Sequence, residues 1–262
     1  MKNIIKIEAA NVFIDGCHIL KDFNWQVKSG EDWFILGANG AGKTTLIKML
    51  MGYVWPKFGA HVEVLGERYG QCNLVEMRKR IAWVSPFMQK WSDDDAKALD
   101  VVLSGFDGAF TLLRDPEPRE IEQAREIMKQ LGCFKLAEHR YATLSSGEQV
   151  KMFIARALVT QPDLMILDEA CVHLDFKSRE YLLNVIDQLA AQPAAPPIIF
   201  ITQRIEDISK TFTNGIIIAD GEMIANGKRE DLLTENLLFK TFDMPIRLHE
   251  TDDGRFWPLP IR

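Results

Sequence analysis

Residues 37–45 read Gly-Ala-Asn-Gly-Ala-Gly-Lys-Thr-Thr and fit the pattern G-x-x-x-x-G-K-[ST]. The short apolar run at residues 33–36 precedes them and predicts a strand. The apolar residues that follow have the spacing of a helix: Leu46, Ile47, Leu50 and Met51. Glycines in such a loop let backbone N–H groups turn inward around a polyphosphate at the start of a helix. The stretch therefore predicts a phosphate loop in an α/β protein.

This loop supplies most of the predicted binding site. Lys43 would place a cation on the β- and γ-phosphates, and the Thr44 hydroxyl would ligate Mg²⁺. The alternative is a glycine-rich turn with an incidental lysine, which the strand before the loop and the helix after it disfavour. The full set of predicted contacts is Gly37, Asn39, Gly40, Ala41, Gly42, Lys43, Thr44 and Thr45.

A second candidate site follows another apolar strand. Residues 163–169 read Asp-Leu-Met-Ile-Leu-Asp-Glu, so the strand ends in two carboxylates. Ligands of parallel sheets bind beyond the carboxyl ends of the strands, and Asp168 and Glu169 are therefore expected to face the phosphate loop. Asp168 would hold Mg²⁺, usually through water, and Glu169 would polarise the attacking water. Without the phosphate loop, an acidic turn after a core strand would be the simpler interpretation.

Residues 144–149, Leu-Ser-Ser-Gly-Glu-Gln, have two interpretations. Taken locally they form a capping box, with Ser145 at the N-cap and Glu148 three residues later, ahead of an amphipathic helix. A helix start with a serine hydroxyl and a glycine also leaves donors for an anion, so the same residues could contact a phosphate.

The predicted secondary structure changes twice along the chain. Strand-like segments and glycine turns dominate the first part, whereas residues 86–143 contain acidic turns and a helical stretch at 121–131 with one apolar face. Alternating strands and helices then return, and Asp220-Gly221 predicts a hairpin. We predict a single domain over residues 1–262. Its core comprises residues 1–85 and 144–226, its helical subdomain residues 86–143, and its tail residues 227–262.

Composition excludes several classes of protein. Of 262 residues, 47% are hydrophobic, which is typical of a folded chain. The 31 basic against 37 acidic residues give a net charge of −6, so no nucleic-acid partner is expected. The apolar runs are far shorter than the ~18 residues of a membrane span, and the N-terminus is unlike a signal peptide, which predicts a cytoplasmic protein. Four widely spaced cysteines predict reduced, mostly packed thiols.

Taken in order, the phosphate loop, the helical insertion, Leu-Ser-Ser-Gly-Glu, the strand ending in Asp-Glu, and Leu174-Asp175 resemble the nucleotide-binding subunits of ABC transporters. The resemblance covers about residues 4–226. It implies an α/β P-loop NTPase fold, with a RecA-like core of mixed and parallel strands, an N-terminal antiparallel β region and an inserted α-helical subdomain. A narrower similarity, carried by residues 83–85 and 101–105, is to the branch that includes a molybdenum-transport-associated ATP-binding protein.

The resemblance also implies partners and cofactors. In the family, two subunits pack head to tail, so that the signature of one subunit covers the Mg²⁺-ATP on the phosphate loop of the other. In this chain the signature corresponds to residues 144–149. Ser145 and Gly147 would then contact the γ-phosphate in trans, and Asp175 would lie in the loop joining the two sites. The expected partners are a second copy of the chain and a separate transmembrane permease, on the inner face of the membrane. A monomer would bind ATP but hydrolyse it poorly.

Four residues depart from the family's pattern. Ser146 replaces a glycine and Glu148 a glutamine of the signature, and Ala170 replaces a proline after the two carboxylates. Gln203 stands where the family has a histidine that contacts the γ-phosphate. Glutamine can donate a hydrogen bond but cannot carry a proton or a positive charge. Gln203 is thus either a retained catalytic phosphate contact or a polar residue at the end of a strand.

Two further candidate site residues follow from the family's pattern, each with an alternative position. Gln89 is the candidate for the glutamine that links nucleotide and Mg²⁺ to the helical subdomain, although strict alignment puts Pro86 there. Phe13 is the candidate to stack on adenine, although strict register favours Ile14.

Two other functions compete with a transporter ATPase. A soluble ABC-type ATPase acting in cytosolic cofactor or cluster assembly would have the same motifs. A phosphate-loop kinase acting on a small molecule is disfavoured, because it has no use for residues 144–149.

Overall fold

The computed structural model describes residues 2–86, 88, 95–172 and 174–261. The chain divides into two compact units. The first combines Met1–Arg78 with Pro197–Arg262, and the second is Lys79–Pro196.

Strands and helices both occur in each unit of the described chain. The strands are β1 (Asn3–Ile14), β2 (Cys17–Lys28), β3 (Trp33–Leu36), β4 (His61–Val64), β5 (Glu67–Arg68), β6 (Ile81–Val84), β7 (Leu164–Asp168), β8 (Ile198–Thr202), β9 (Asn214–Ala219), β10 (Glu222–Lys228), β11 (Ile246–Glu250) and β12 (Phe256–Pro260). The helices are α1 (Lys43–Leu50), α2 (Leu74–Lys79), α3 (Ala98–Leu103), α4 (Pro118–Gln130), α5 (Ser146–Leu158), α6 (Phe176–Ala190), α7 (Arg229–Leu232) and α8 (Glu235–Phe242).

The first unit begins with an antiparallel sheet in the order β2-β1-β4-β5. Apolar side chains of β1 alternate inward at Ile5, Ile7, Ala10 and Val12. The alternation skips a residue at Ala9, whose φ of 52° accompanies a register shift between β1 and β2. Such a bulge returns the next apolar residue to the buried face. The predicted N-terminal antiparallel region is confirmed.

Three parallel strands, β8, β3 and β9, lie side by side in this unit. β3 lies between β8 and β9 and is parallel to both, and all four of its residues are buried. This explains why its sequence is an unbroken apolar run rather than an alternating one. A Cβ at Gly215 on β9 would lie 2.3 Å from the Phe34 ring, so glycine leaves the room that this ring occupies.

The predicted hairpin at Asp220-Gly221 is confirmed. These two residues join β9 to the antiparallel β10 with φ angles of 49° and 80°. Positive φ at both positions is the requirement of a type I′ turn, which Asp-Gly meets at low cost.

The second unit contains the parallel pair β6 and β7 together with α3 to α6. Helix α4 begins at Pro118, three residues before the predicted start at Ile121. The carboxylate of Glu120 accepts a hydrogen bond of 2.8 Å from the Glu117 N–H, and proline suits the first turn of a helix. The apolar pattern located the helix, whereas its start depends on this capping.

The last part of the tail forms strands for which the sequence analysis made no prediction. A short helical region is present as α7 and α8, but the Pro- and Trp-containing segment after it forms an antiparallel pair, β11 with β12. The sequence does not indicate the strand β12, because it contains Pro258 and Pro260 and proline is rare within strands.

The cysteines are less packed than expected. Cys133 and Cys171 are buried, whereas Cys17 is exposed and Cys72 is partly exposed, so only half of the thiols are packed. Burial raises the pKa of Cys133 to about 11. Across the described ranges, no helix is both long and apolar enough to cross a bilayer.

Candidate active site

The phosphate loop lies between β3 and α1 in the first unit. Gly42 forms the N-cap of α1 with a φ of 105°. Among the described side chains, none caps this helix start, and its first turn carries no acidic residue. The first N–H groups of a helix have no partner within the helix, and together with the helix dipole they attract an anion. This geometry suits a phosphate.

Glycine is required at Gly42 for a second reason. A Cβ at this position would lie 2.9 Å from the Leu20 side chain and 3.2 Å from the Ile19 carbonyl oxygen. Together with its positive φ, this close approach fixes glycine where the loop turns into the helix.

The Lys43 side chain is buried and forms hydrogen bonds to the main chain of its own loop. Only 4% of its surface is exposed, and its Nζ donates hydrogen bonds of 2.9 Å to the carbonyl oxygens of Gly37 and Ala38. The lysine charge is therefore fixed within the loop. The same ammonium group can bind phosphate oxygens that enter beside those carbonyls.

The remaining loop residues divide by exposure. Gly37 and Ala41 are buried, and a Cβ at Gly37 would lie 2.5 Å from the Ile218 carbonyl oxygen. Polar and glycine positions face outward: Asn39, Gly40 and Thr44 are exposed, and Thr45 is partly exposed. Among the predicted phosphate and Mg²⁺ contacts, Asn39, Gly40 and Thr44 are thus accessible, whereas Gly37, Ala41, Gly42 and Lys43 are buried.

The turn between β9 and β10 supports the loop, which the sequence did not predict. The Gly221 N–H donates to the Ala41 carbonyl oxygen at 3.1 Å, and the Gly221 carbonyl oxygen accepts from the Lys21 N–H at 2.9 Å. A Cβ at Gly221 would lie 2.2 Å from the Ile19 carbonyl oxygen. Asp220-Gly221 indicated the turn but gave no signal of this long-range contact.

Phe13 lies near this loop, at the end of β1. Its ring is 47% exposed and stacks on the His18 ring, with centroids 4.2 Å apart and planes 10° apart. His18 forms a hydrogen bond of 2.9 Å with the Asn11 side chain. The next residues along β2, Ile19 and Leu20, are those that approach Gly42. The pair therefore offers a flat surface beside the phosphate loop.

Gln203 follows β8, next to the start of the phosphate loop. In the parallel register Leu36 is opposite Thr202, so the chain leaves both strands at the same edge. Gln203 is partly exposed there. The buried Thr202 hydroxyl accepts a hydrogen bond of 2.9 Å from the Arg204 N–H and lies 3.3 Å from an Asp207 carboxylate oxygen, which orders the turn after Gln203.

Asp168 and Glu169 belong to the second unit. Asp168 ends β7, whose five residues are all buried, and only 4% of its own surface is exposed. Glu169 has a φ of 52°, an unfavourable angle for a residue with a side chain, and its carbonyl oxygen accepts from the Val172 N–H at 3.0 Å. Backbone strain of this kind is concentrated at functional sites.

The predicted capping box at the start of α5 is confirmed. The Glu148 carboxylate accepts from the Ser145 N–H at 2.9 Å and from its hydroxyl at 2.7 Å. These hydrogen bonds lower the pKa of Glu148. The Ser145 oxygen in turn accepts from the Glu148 N–H at 3.4 Å.

Gly147 has a packing role in addition to its predicted phosphate contact. A Cβ there would lie 2.9 Å from Cβ of Ser178 at the start of α6. Asp175 caps α6 by accepting from the Ser178 N–H at 2.8 Å, and this hydrogen bond lowers the pKa of Asp175. The signature and Asp175 are therefore linked within one unit by the contact of α5 with α6.

Three residues are predicted to be magnesium ligands, and of these Gln89 lies outside the described residues. A hydroxyl from Thr44 and a carboxylate from Asp168 are hard oxygen ligands, and Mg²⁺ normally takes one or two such groups with water and phosphate oxygens. The donor types fit. Within the described ranges, no cluster of three or more His, Cys, Asp or Glu residues could hold a metal.

Comparison with known proteins assigns the family. The family model described as ABC transporter matches residues 20–172. This chain belongs to that family. It is an ATP-binding cassette and an ATP hydrolase, and the predicted family resemblance is confirmed. The narrower similarity to the molybdenum branch stays a prediction.

Individual relatives agree with this assignment. The chain is 36% identical to an uncharacterized ABC transporter ATP-binding protein, YlmA of Bacillus subtilis, over 97% of this chain and 96% of the relative. Its fold is similar to that of a putative metal-chelate type ABC transporter in an inward-facing conformation, with a TM-score of 0.81, 22% identity, and coverage of 100% and 98% of the two chains. A dimeric, post-hydrolysis ATP-binding cassette bound to ADP and Pi has a TM-score of 0.70 and 23% identity, with coverage of 86% and 98%. These structures confirm the predicted α/β P-loop fold.

Proposed function

We propose that this cassette binds Mg²⁺-ATP on the loop at residues 37–45, closes over it as a head-to-tail dimer, and drives a separate membrane permease. The loop carries the proposal, because it combines an uncapped helix start with the buried ammonium group of Lys43. Both features attract the anionic phosphates of ATP.

Different residues would bind the base and the phosphates of the nucleotide. The Phe13 ring, supported by His18, would stack on adenine, while the N–H groups of the loop and Lys43 would hold the phosphates. Ser145 and Gly147 of the second copy would contact the γ-phosphate. Gln89 is proposed to link the nucleotide to the helical subdomain, as the family resemblance implies.

Hydrolysis would need an ordered water near the γ-phosphate. Glu169 is proposed to accept a proton from this water, and Gln203 to donate a hydrogen bond to the phosphate. Thr44 and Asp168 are proposed as protein ligands of Mg²⁺. When bound, the ion neutralises charge that develops on the phosphate oxygens.

Membership of the family supports the proposal of a dimer and a permease. ABC ATP-binding subunits dimerise and pair with transmembrane components. We extend this to the present chain and place it on the inner face of the membrane, where ATP-driven closure of the dimer would move the permease. The relatives are described as transporter proteins, which does not favour the alternative in cytosolic cofactor or cluster assembly.

Dependence on protein concentration and on a membrane partner tests this function. We expect the ATPase rate per molecule to rise with protein concentration, because each site needs a second copy. Affinity purification from detergent-solubilised membranes of the source cells should recover a hydrophobic protein together with this chain. A constant rate per molecule would contradict the dimer, and recovery of the chain only as a free soluble species would contradict the permease.

Changing Gln203→His tests whether this residue still contacts the γ-phosphate. A charged donor forms a hydrogen bond about 1 kcal/mol stronger than a neutral one, which corresponds to about a fivefold faster rate if the bond tightens in the transition state. Hydrolysis should therefore rise by about that factor, as measured by steady-state kinetics. Gln192→His, at an exposed position after α6, is the matched control. No change in rate or ATP affinity would favour a polar strand-end role.

A further inference from the structure

The hairpin of β11 and β12 has a tightly built turn at residues 251–255. The Thr251 hydroxyl donates to the Asp253 carboxylate, whose oxygen also accepts from the Arg255 N–H at 3.1 Å. The Gly254 N–H donates to the Thr251 carbonyl oxygen at 2.7 Å, and Gly254 itself has a φ of 76°. This turn is ordered by its own hydrogen bonds and can act as a rigid unit.

Two arginines attach this turn to the segment that follows Gln203. Arg255 donates to the Glu206 carbonyl oxygen at 3.4 Å. One guanidinium nitrogen of Arg229 donates both to the Ile208 carbonyl oxygen, at 3.4 Å, and to the Gly254 carbonyl oxygen. Arg229 therefore bridges the two segments directly.

The fit between the two segments is close at Gly254. The φ of 76° favours glycine at this position, and the exposed Lys210 side chain lies beside it, since a Cβ at Gly254 would lie 1.7 Å from Cε of Lys210. Phe256 completes the contact by covering the Arg229 guanidinium, which lies 5.1 Å from the ring centroid. The turn thus contacts the segment after Gln203 at Glu206 and Lys210, and Arg229 joins the turn to Ile208.

The use of a partly buried cation here indicates more than apolar packing. Burial lowers the pKa of Arg229, and its Nε is buried with no hydrogen-bond partner among the described residues. An apolar side chain could cover Phe256 without this desolvation penalty. Arginine instead provides directional hydrogen bonds, which fix the position of the main chain at Ile208.

The segment held in this way determines where Gln203 lies. Ile205 and Ile208 are buried, and the Thr202 hydroxyl accepts a hydrogen bond from the Arg204 N–H. The main chain between Gln203 and the arginine contacts therefore has little freedom to move. We propose that the C-terminal hairpin is a positioning element for Gln203, acting through Arg229 and Arg255 on the main chain of residues 204–208. This inference rests on the proposed contact of Gln203 with the γ-phosphate.

A double-mutant cycle in the full chain tests the inference. Arg229→Met should lower kcat for ATP by about tenfold and leave KM within about twofold, because misplacing a group in the transition state affects the rate more than binding. In a Gln203→Ala background, Arg229→Met should have no further effect. The matched control is Arg247→Gln on the exposed face of β11, which should behave as wild type in both backgrounds.

Other outcomes separate the two proposals. If Arg229→Met lowers kcat by the same factor with and without Gln203, or leaves a folded protein's kcat unchanged, the positioning role is wrong. Should Arg229→Met fail to fold, Arg255→Gln removes one partly exposed contact and is measured in the same cycle. If wild-type protein does not hydrolyse ATP, the proposed function fails; if Gln203→Ala hydrolyses it at the wild-type rate, the phosphate contact fails.

Discussion

Glu169→Gln should leave ATP binding intact and slow hydrolysis by at least about a hundredfold, since general-base catalysis contributes roughly 10²–10⁴-fold to a rate. Glutamine has nearly the shape of glutamate but cannot accept a proton from water. ATP that is bound but not cleaved should also hold two copies together. Single-turnover hydrolysis measures the first effect, and size-exclusion chromatography with Mg²⁺-ATP measures the second.

The control for this variant is Glu126→Gln, an exposed carboxylate on α4 that pairs with Lys129. It removes the same charge from the same unit and should not change turnover. Unchanged hydrolysis in Glu169→Gln would refute the role of Glu169 as the base. Because Glu169 has a φ of 52°, the thermal stability of the variant must also be compared with wild type, to show that the turn has not rearranged.

The fold was predictable wherever local sequence determines backbone geometry. The apolar run of β3, the Asp-Gly turn at 220–221 and the capping box at 145–148 each need only neighbouring residues, and the structure contains all three. The start of α4 was misplaced, because helical periodicity marks the apolar face and not the first turn. The β12 strand was missed, because its prolines argue against a strand.

The chemical groups of the site could be predicted from the sequence, but the contacts that hold them in place could not. The motif identified Lys43 without showing that its ammonium group bonds to two carbonyl oxygens of its own loop. The contact of Gly221 with Ala41 joins residues far apart in the chain, and no short pattern encodes it. The same holds for Arg229 and Ile208. Contacts of this kind arise from the packing of complete elements and require the structure.

Lys43→Met should weaken ATP binding by about a hundredfold. Hydrogen bonds to charged groups contribute about 1.5–3 kcal/mol each, and about 2.7 kcal/mol corresponds to a hundredfold change in Kd. Methionine keeps much of the length of the side chain and tolerates burial, so the fold should survive. Isothermal titration calorimetry measures the affinity. Lys48→Met, an exposed lysine on the same helix, is the matched control and should bind ATP as wild type.

The affinity for AMP separates two explanations of such a loss. Lys43 could act on the β- and γ-phosphates, or it could act only by holding Gly37 and Ala38 in place. AMP has neither of those phosphates, so a direct contact predicts that Lys43→Met weakens ATP binding and leaves AMP binding almost unchanged. A collapsed loop predicts that both affinities fall together. An ATP affinity equal to that of the Lys48→Met control would exclude a phosphate contact by Lys43 altogether.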